Sequence, residues 1–165
     1  MTTTIASTHL PPIAASSRRE VGKNLQETLV ELIDLALVGK QLHWSVVGPL
    51  FRPLHLQLDE LVDSWREHAD TVAERAIAIG SWPNGQAAAV AAGSEVAGIE
   101  PGEIEDHVVV RELARRLADV AERTRTRMDR LGELDLASQD VLIALVRALE
   151  EQLWMVRAQL AGDAG

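Results

Sequence analysis

Along most of this chain apolar residues return at steps of three, four and seven, the spacing that holds side chains on one face of a helix. Leu25, Leu29, Leu32, Ala36 and His43 form one such stripe. It predicts a first helix from about Arg19 to just before Gly48-Pro49, because proline disfavours helix in the residue ahead of it. A second helix is predicted from Pro53 to Ile79, with proline in its first turn and Gly80 as its stop. Residues 81–101 hold most of the turn-forming residues and read as a long connection with one short helical piece at Gln86–Ala92. Pro101 opens a third predicted helix that ends near Leu131, with Val110, Leu113, Leu117 and Val120 facing inward. The fourth starts around Asp135–Ser138, both N-cap candidates, and runs to about Leu160 on Leu142, Leu145, Leu149 and Val156. No strand-like alternation and no internal repeat appear. Residues 1–18, rich in Thr, Ser, Ala and Pro, read as a flexible tail, 19–161 as the helical domain and 162–165 as a short C-terminal tail.

Four long helices with one long crossover make an all-α, four-helix bundle of the ferritin-like kind, rather than an up-down-up-down bundle with short loops. The size agrees: 165 residues suit one domain. Charge changes the picture more. Sixteen Lys+Arg against 25 Asp+Glu leave a formal charge of −9, so the chain repels polyanions on average. It contains no cysteine, which excludes disulfides, thiolate zinc sites, iron–sulfur clusters and cysteine nucleophiles. Any metal must be held by His and carboxylate. No apolar run suits a membrane span, and the first residues lack the basic start and long apolar stretch of a signal peptide, so the expected compartment is the cytoplasm, with the nucleoid as an option.

The second predicted helix carries the chemistry. At about 100° per residue, His55, Asp59, Asp70 and Glu74 fall on one stripe, whereas His68 falls on the other side. For any one of these acids a solvated helix face is the competing reading. His55/Asp59 and Asp70/Glu74 are i,i+4 pairs, each able to share a metal, but about 16–22 Å of helix separates them. One helix therefore cannot put both pairs on one ion. The spacing is symmetric, however: 55 with 74, and 59 with 70, lie equally far from the peptide between Ser64 and Trp65. Two copies of this helix, antiparallel about a two-fold axis there, set His55/Asp59 of one chain against Asp70/Glu74 of the other, twice per dimer. His43, on the inward stripe of the first helix and a short connection away from His55, extends the set, though a lone inward histidine is often a satisfied core residue. His and carboxylate without thiolate suit iron, with zinc and manganese as competitors. No Glu-x-x-His occurs, so the intrasubunit di-iron motif of ferritin-type bundles is absent, as are the hydrolase and nucleotide-binding motifs.

Lys40-Gln41-Leu42-His43-Trp44, then Gly48, Phe51, His55, Asp59 and Asp70-Thr71-Val72-Ala73-Glu74-Arg75, resemble the signature of the Dps family, the miniferritins named as DNA-binding proteins from starved cells. The resemblance covers about residues 20–160 and extends to Ser138-Gln139-Asp140 and Leu153-Trp154. It implies a ferroxidase: a hollow dodecamer built through two-fold dimers that oxidises Fe(II), preferably with hydrogen peroxide and otherwise with dioxygen, stores ferric mineral and so protects DNA. By the same resemblance the iron ligands are His43, His55 and Asp59 from one subunit and Asp70 and Glu74 from its mate. Trp44 resembles the tryptophan kept near such iron centres, where it would quench radicals; core packing is the alternative. Trp65, next to the proposed two-fold, reads as an interface anchor, and Trp82 and Trp154 as packing.

The competing function is a nucleoid-compacting DNA-binding protein with a secondary metal site. Family members that bind DNA directly present Lys/Arg-rich tails, whereas residues 1–24 offer Arg18, Arg19 and Lys23 beside Glu20, and the C-terminal residues are acidic. Phosphate binding needs several cations on one surface, so DNA binding is expected to be weak or absent. Glu133, Asp135 and Asp140 cluster where the family's three-fold pores draw acids, with helix capping as the other explanation.

Overall fold

A computed structural model of the chain describes residues 9–160. Helices α1 (Ala15–Ser45), α2 (Phe51–Ala78), α4 (Asp106–Leu131) and α5 (Leu136–Ala158) form the bundle, and the short α3 (Ala87–Gly93) sits in the crossover. α1 packs along α2 and α4 along α5, each pair joined by a tight turn, while α3 lies against α1 with Val90 buried. The apolar stripes predicted above are inside: Leu25, Leu32, Leu113, Leu117, Leu142, Leu145, Leu149 and Val156 are essentially inaccessible. The fold is the all-α bundle with a long crossover that the periodicity predicts.

Helix ends depart from expectation for local reasons. α1 starts at Ala15, before Arg19; its first turn faces solvent and carries no apolar repeat to read, and Arg18 donates there to the carbonyls of Pro11 and Ile13. The expected tail up to residue 18 therefore includes a helical turn and a segment with Ile13 against the core, while residues 1–8 and the C-terminal tail 162–165 lie outside the described residues. α4 opens at Asp106, not Pro101. Gly102 adopts φ +146, and Ile104–Glu105 (β2) pair in parallel with Val46–Val47 (β1). Two-residue strands have no alternation to read, so this ladder is invisible in the sequence.

The ladder ties the start of α4 to the turn that joins α1 and α2. Gly48 makes that turn at φ +115, a conformation glycine adopts readily. The buried Asp106 locks it: one carboxylate oxygen accepts from the Leu50 N–H at 2.7 Å, the other from the His107 N–H at 2.7 Å. Because His43 lies in the last turn of α1 and His55 one turn into α2, this turn fixes how the two histidines meet.

Candidate metal centre

His43 is 6% exposed, on the inner face near the end of α1. His55, one turn into α2, stacks on it with ring centroids 3.5 Å apart and planes 22° from parallel. The two backbones hold the rings reciprocally: His43 Nδ1 lies 2.8 Å from the His55 carbonyl, and His55 Nδ1 3.0 Å from the His43 carbonyl. A carbonyl oxygen only accepts, so each Nδ1 must carry the proton. That leaves each Nε2, and not Nδ1, as the ring atom open to a metal. Asp59, one turn beyond His55, brings Oδ1 to 3.4 Å from His43 Nδ1. Ligand atoms of His43, His55 and Asp59 lie within 4.8 Å of one another.

Lys40, one turn before His43, donates to Asp59 Oδ1 at 2.6 Å. That ammonium holds the Asp59 carboxyl below the usual carboxylate range, chiefly through the hydrogen bond, while burial opposes it. Lys40 also lies 5.9 Å from the centre of the Trp44 ring. The sequence marks Lys40 only as part of a motif. Its spacing of three from His43 is the signal that places it on the same face.

Asp70 and Glu74 are exposed, well along α2 from this cluster, and one subunit does not bring them to it. Trp44 is 68% exposed, so core packing within the subunit does not explain it. Trp65 corrects an expectation. It is fully buried, its indole N–H donates to Gln152 Oε1 at 2.8 Å, and it belongs to the core rather than to an interface. Trp82 and Trp154, expected as packing, are instead 64% and 67% exposed in the single subunit. His68 is half-buried on the side away from the stripe, and burial lowers its pKa.

Of the three pore candidates, Asp135 is the N-cap of α5. It accepts from the Ser138 N–H at 3.0 Å and pairs with Arg75 at 2.6 Å, while Glu133 and Asp140 are exposed. A second group of close donors, Glu105, Asp106 and His107, is committed to the α1–α2 turn through Asp106.

A model of the ferritin-like domain matches residues 22–164. The "DNA protection during starvation protein" of Mycolicibacterium smegmatis is 35% identical over 158 residues, spanning 94% of this chain and 85% of that protein. The solved structure of Mycobacterium smegmatis Dps superposes with a TM-score of 0.91 at 34% identity, covering 98% of this chain and 92% of that one. Dps from Microbacterium arborescens "in the high iron form" superposes with a TM-score of 0.86 at 27% identity, over 92% and 99% of the two chains.

Proposed function

This chain belongs to the Dps family of ferritin-like proteins, and from that membership we propose that it oxidises Fe(II) at sites shared between two subunits and stores the ferric product in a hollow shell. The observation that carries the reading is the half-site of His43, His55 and Asp59, with Asp70 and Glu74 symmetrically placed on the same helix. Two imidazole nitrogens and three carboxylates suit iron, the substrate. Three negative charges also favour Fe(III) over Fe(II), because Coulomb attraction grows with the charge of the ion. The site thus binds product-like charge more strongly than substrate-like charge, which helps the oxidation.

With hydrogen peroxide, two Fe(II) each give one electron; the O–O bond breaks, and two protons are taken up to leave two waters. A paired two-electron reduction releases no hydroxyl radical, and removing Fe(II) and peroxide together would protect DNA without contact. Glu133 and Asp140 are the acids left free to attract cations at an opening of the shell. Trp44, beside the site and exposed, is placed to meet a stray oxidant or the mate's surface. The test is to mix anaerobic protein with Fe(II), then add peroxide or air while following ferric absorbance and particle size. Rapid oxidation with iron held in particles of constant size supports the reading; oxidation no faster than in protein-free buffer contradicts it.

Lys40 sets a further expectation. A cation reaching Asp59 must displace its ammonium and work against that charge. Lys40→Met should tighten Zn(II) binding at the half-site by about three- to tenfold, a modest gain because the pair is solvent-screened. Titration calorimetry checks this, and weaker binding in the variant would show that Lys40 supports the site instead.

A further inference from the structure

We propose that Asp63 and Arg66 form reciprocal ion pairs across the two-fold axis, Asp63 of each chain to Arg66 of the other, and so set the register in which the shared sites are completed. The inference rests on the antiparallel α2 pairing proposed above and adds what holds that pairing in place.

The geometry follows from α2 itself, which runs unbroken from Phe51 to Ala78. Around the peptide between residues 64 and 65, position 63 is the symmetry mate of position 66. Taking His55 as zero at about 100° per residue, Asp63 lies near 80° and Arg66 near 20°, inside the stripe that His55, Asp59, Asp70 and Glu74 define. Each is only about 2 Å along the helix from the axis. The two residues nearer the axis in sequence turn away: Trp65 is fully buried and Ser64 accepts from Gln152. Asp63 and Arg66 are therefore the side chains at the centre of the face.

Within one subunit these two are poorly used. Their side chains are 74% and 60% exposed, and they approach each other only to 3.7 Å. Most of their hydrogen-bonding capacity is unspent. An antiparallel mate places an opposite charge directly across from each, at the same height. The rest of the face agrees with a second copy as its occupant. The exposed Leu56 falls opposite Ala73 of the mate, which borders an apolar groove of about 390 Å³ lined also by Leu32, Ile33, Ala36, Leu37 and Ala69. His55 falls opposite Glu74. Asp59 falls opposite Asp70, two acids that supply no attraction of their own, which leaves the apolar contacts and the Asp63–Arg66 pairs to set the register.

The test exploits the difference between a pair within a chain and one between chains. Asp63→Arg puts two cations on each chain and four at the axis, and Arg66→Asp four anions, so each variant alone sets like charges against like. Each should need about tenfold or more protein to assemble than the parent, measured by size-exclusion chromatography and native mass spectrometry. Mixed in equal amounts, the two should assemble at the parent's concentration, because each chain now meets its opposite. Rescue on mixing supports the proposal. Rescue only when both changes are in one chain would mean the pair acts within the subunit, and parent-like assembly of the single variants would mean it does not act at all; either overturns it. Circular dichroism at equal helicity separates assembly loss from misfolding. Iron oxidation is not the readout, so failure here leaves the ferroxidase reading to its own test.

Discussion

The variant carrying both His43→Ala and His55→Ala is expected to fold and assemble as the parent does, yet to oxidise Fe(II) more than about 100-fold more slowly, beyond the range attributed to lost outer partners alone. Among the described residues no other imidazole lies in the cluster to replace these two. His43 is largely buried, but its neighbour in the stack is only partly buried, so truncating both opens a gap beside the turn that solvent can reach. The Asp106 lock and the β1–β2 ladder hold that turn independently of the rings. Stopped-flow absorbance of ferric product, with assembly checked by light scattering, makes the measurement. Oxidation at the parent rate would mean the histidines are core residues and not ligands.

The largest effect on stability is expected far from the metal. Glu31, 1% exposed on α1, accepts from Arg127 at 2.6 Å and from Arg123, both on α4. Arg127 is itself only 8% exposed, and its remaining carboxylate partner, Glu27, stands 3.4 Å away. Glu31→Ala leaves the buried guanidinium nearly unpaired, a change that costs about 3–5 kcal/mol. For a chain of this size that lowers the melting temperature by roughly 6–20 °C, compared at one protein concentration because assembly shifts it too. Twelve residues of α1, about 18 Å, separate Glu31 from His43, so oxidation per folded subunit should not change. A loss below about 1 kcal/mol would mean that water already screens the network.

The two variants also mark what the sequence discloses. His43 was legible because one helical period links it to Leu25 and Leu32, and the second-helix stripe was legible because α2 is straight enough for angular arithmetic to hold. The Glu31 network was not. Asn24, Thr28 and Glu31 form a buried polar stripe beside the apolar one, and from sequence a polar stripe reads as a wet surface. Asn24 and Thr28 bond to carbonyls of α1 itself, whereas the burial of Glu31 depends on arginines more than ninety residues away. Trp65 failed in the opposite sense: its number put it at the two-fold axis, while its angle about the helix turned it into the core. The start of α4 was misplaced because Pro101 opens a helix in many chains, but Gly102 and the two-residue ladder intervene here. Lys40 was visible as a residue and not as a role, since its bond to Asp59 crosses between helices.

The shared site is tested most directly by complementation. His55→Ala and Asp70→Ala subunits are each inactive by expectation, the first for want of a nitrogen and the second for want of the mate's carboxylate. When they are mixed and reassembled, half of the dimers contain one of each. In such a dimer one site carries both defects, while the other draws His43, His55 and Asp59 from the second chain and Asp70 and Glu74 from the first. About a quarter of all sites are then intact by random pairing about a two-fold axis. Fe(II) oxidation by the mixture, with mixing confirmed by mass spectrometry, should recover to about a quarter of the parent rate; a rate no higher than the mean of the two variants alone would contradict a site shared between subunits.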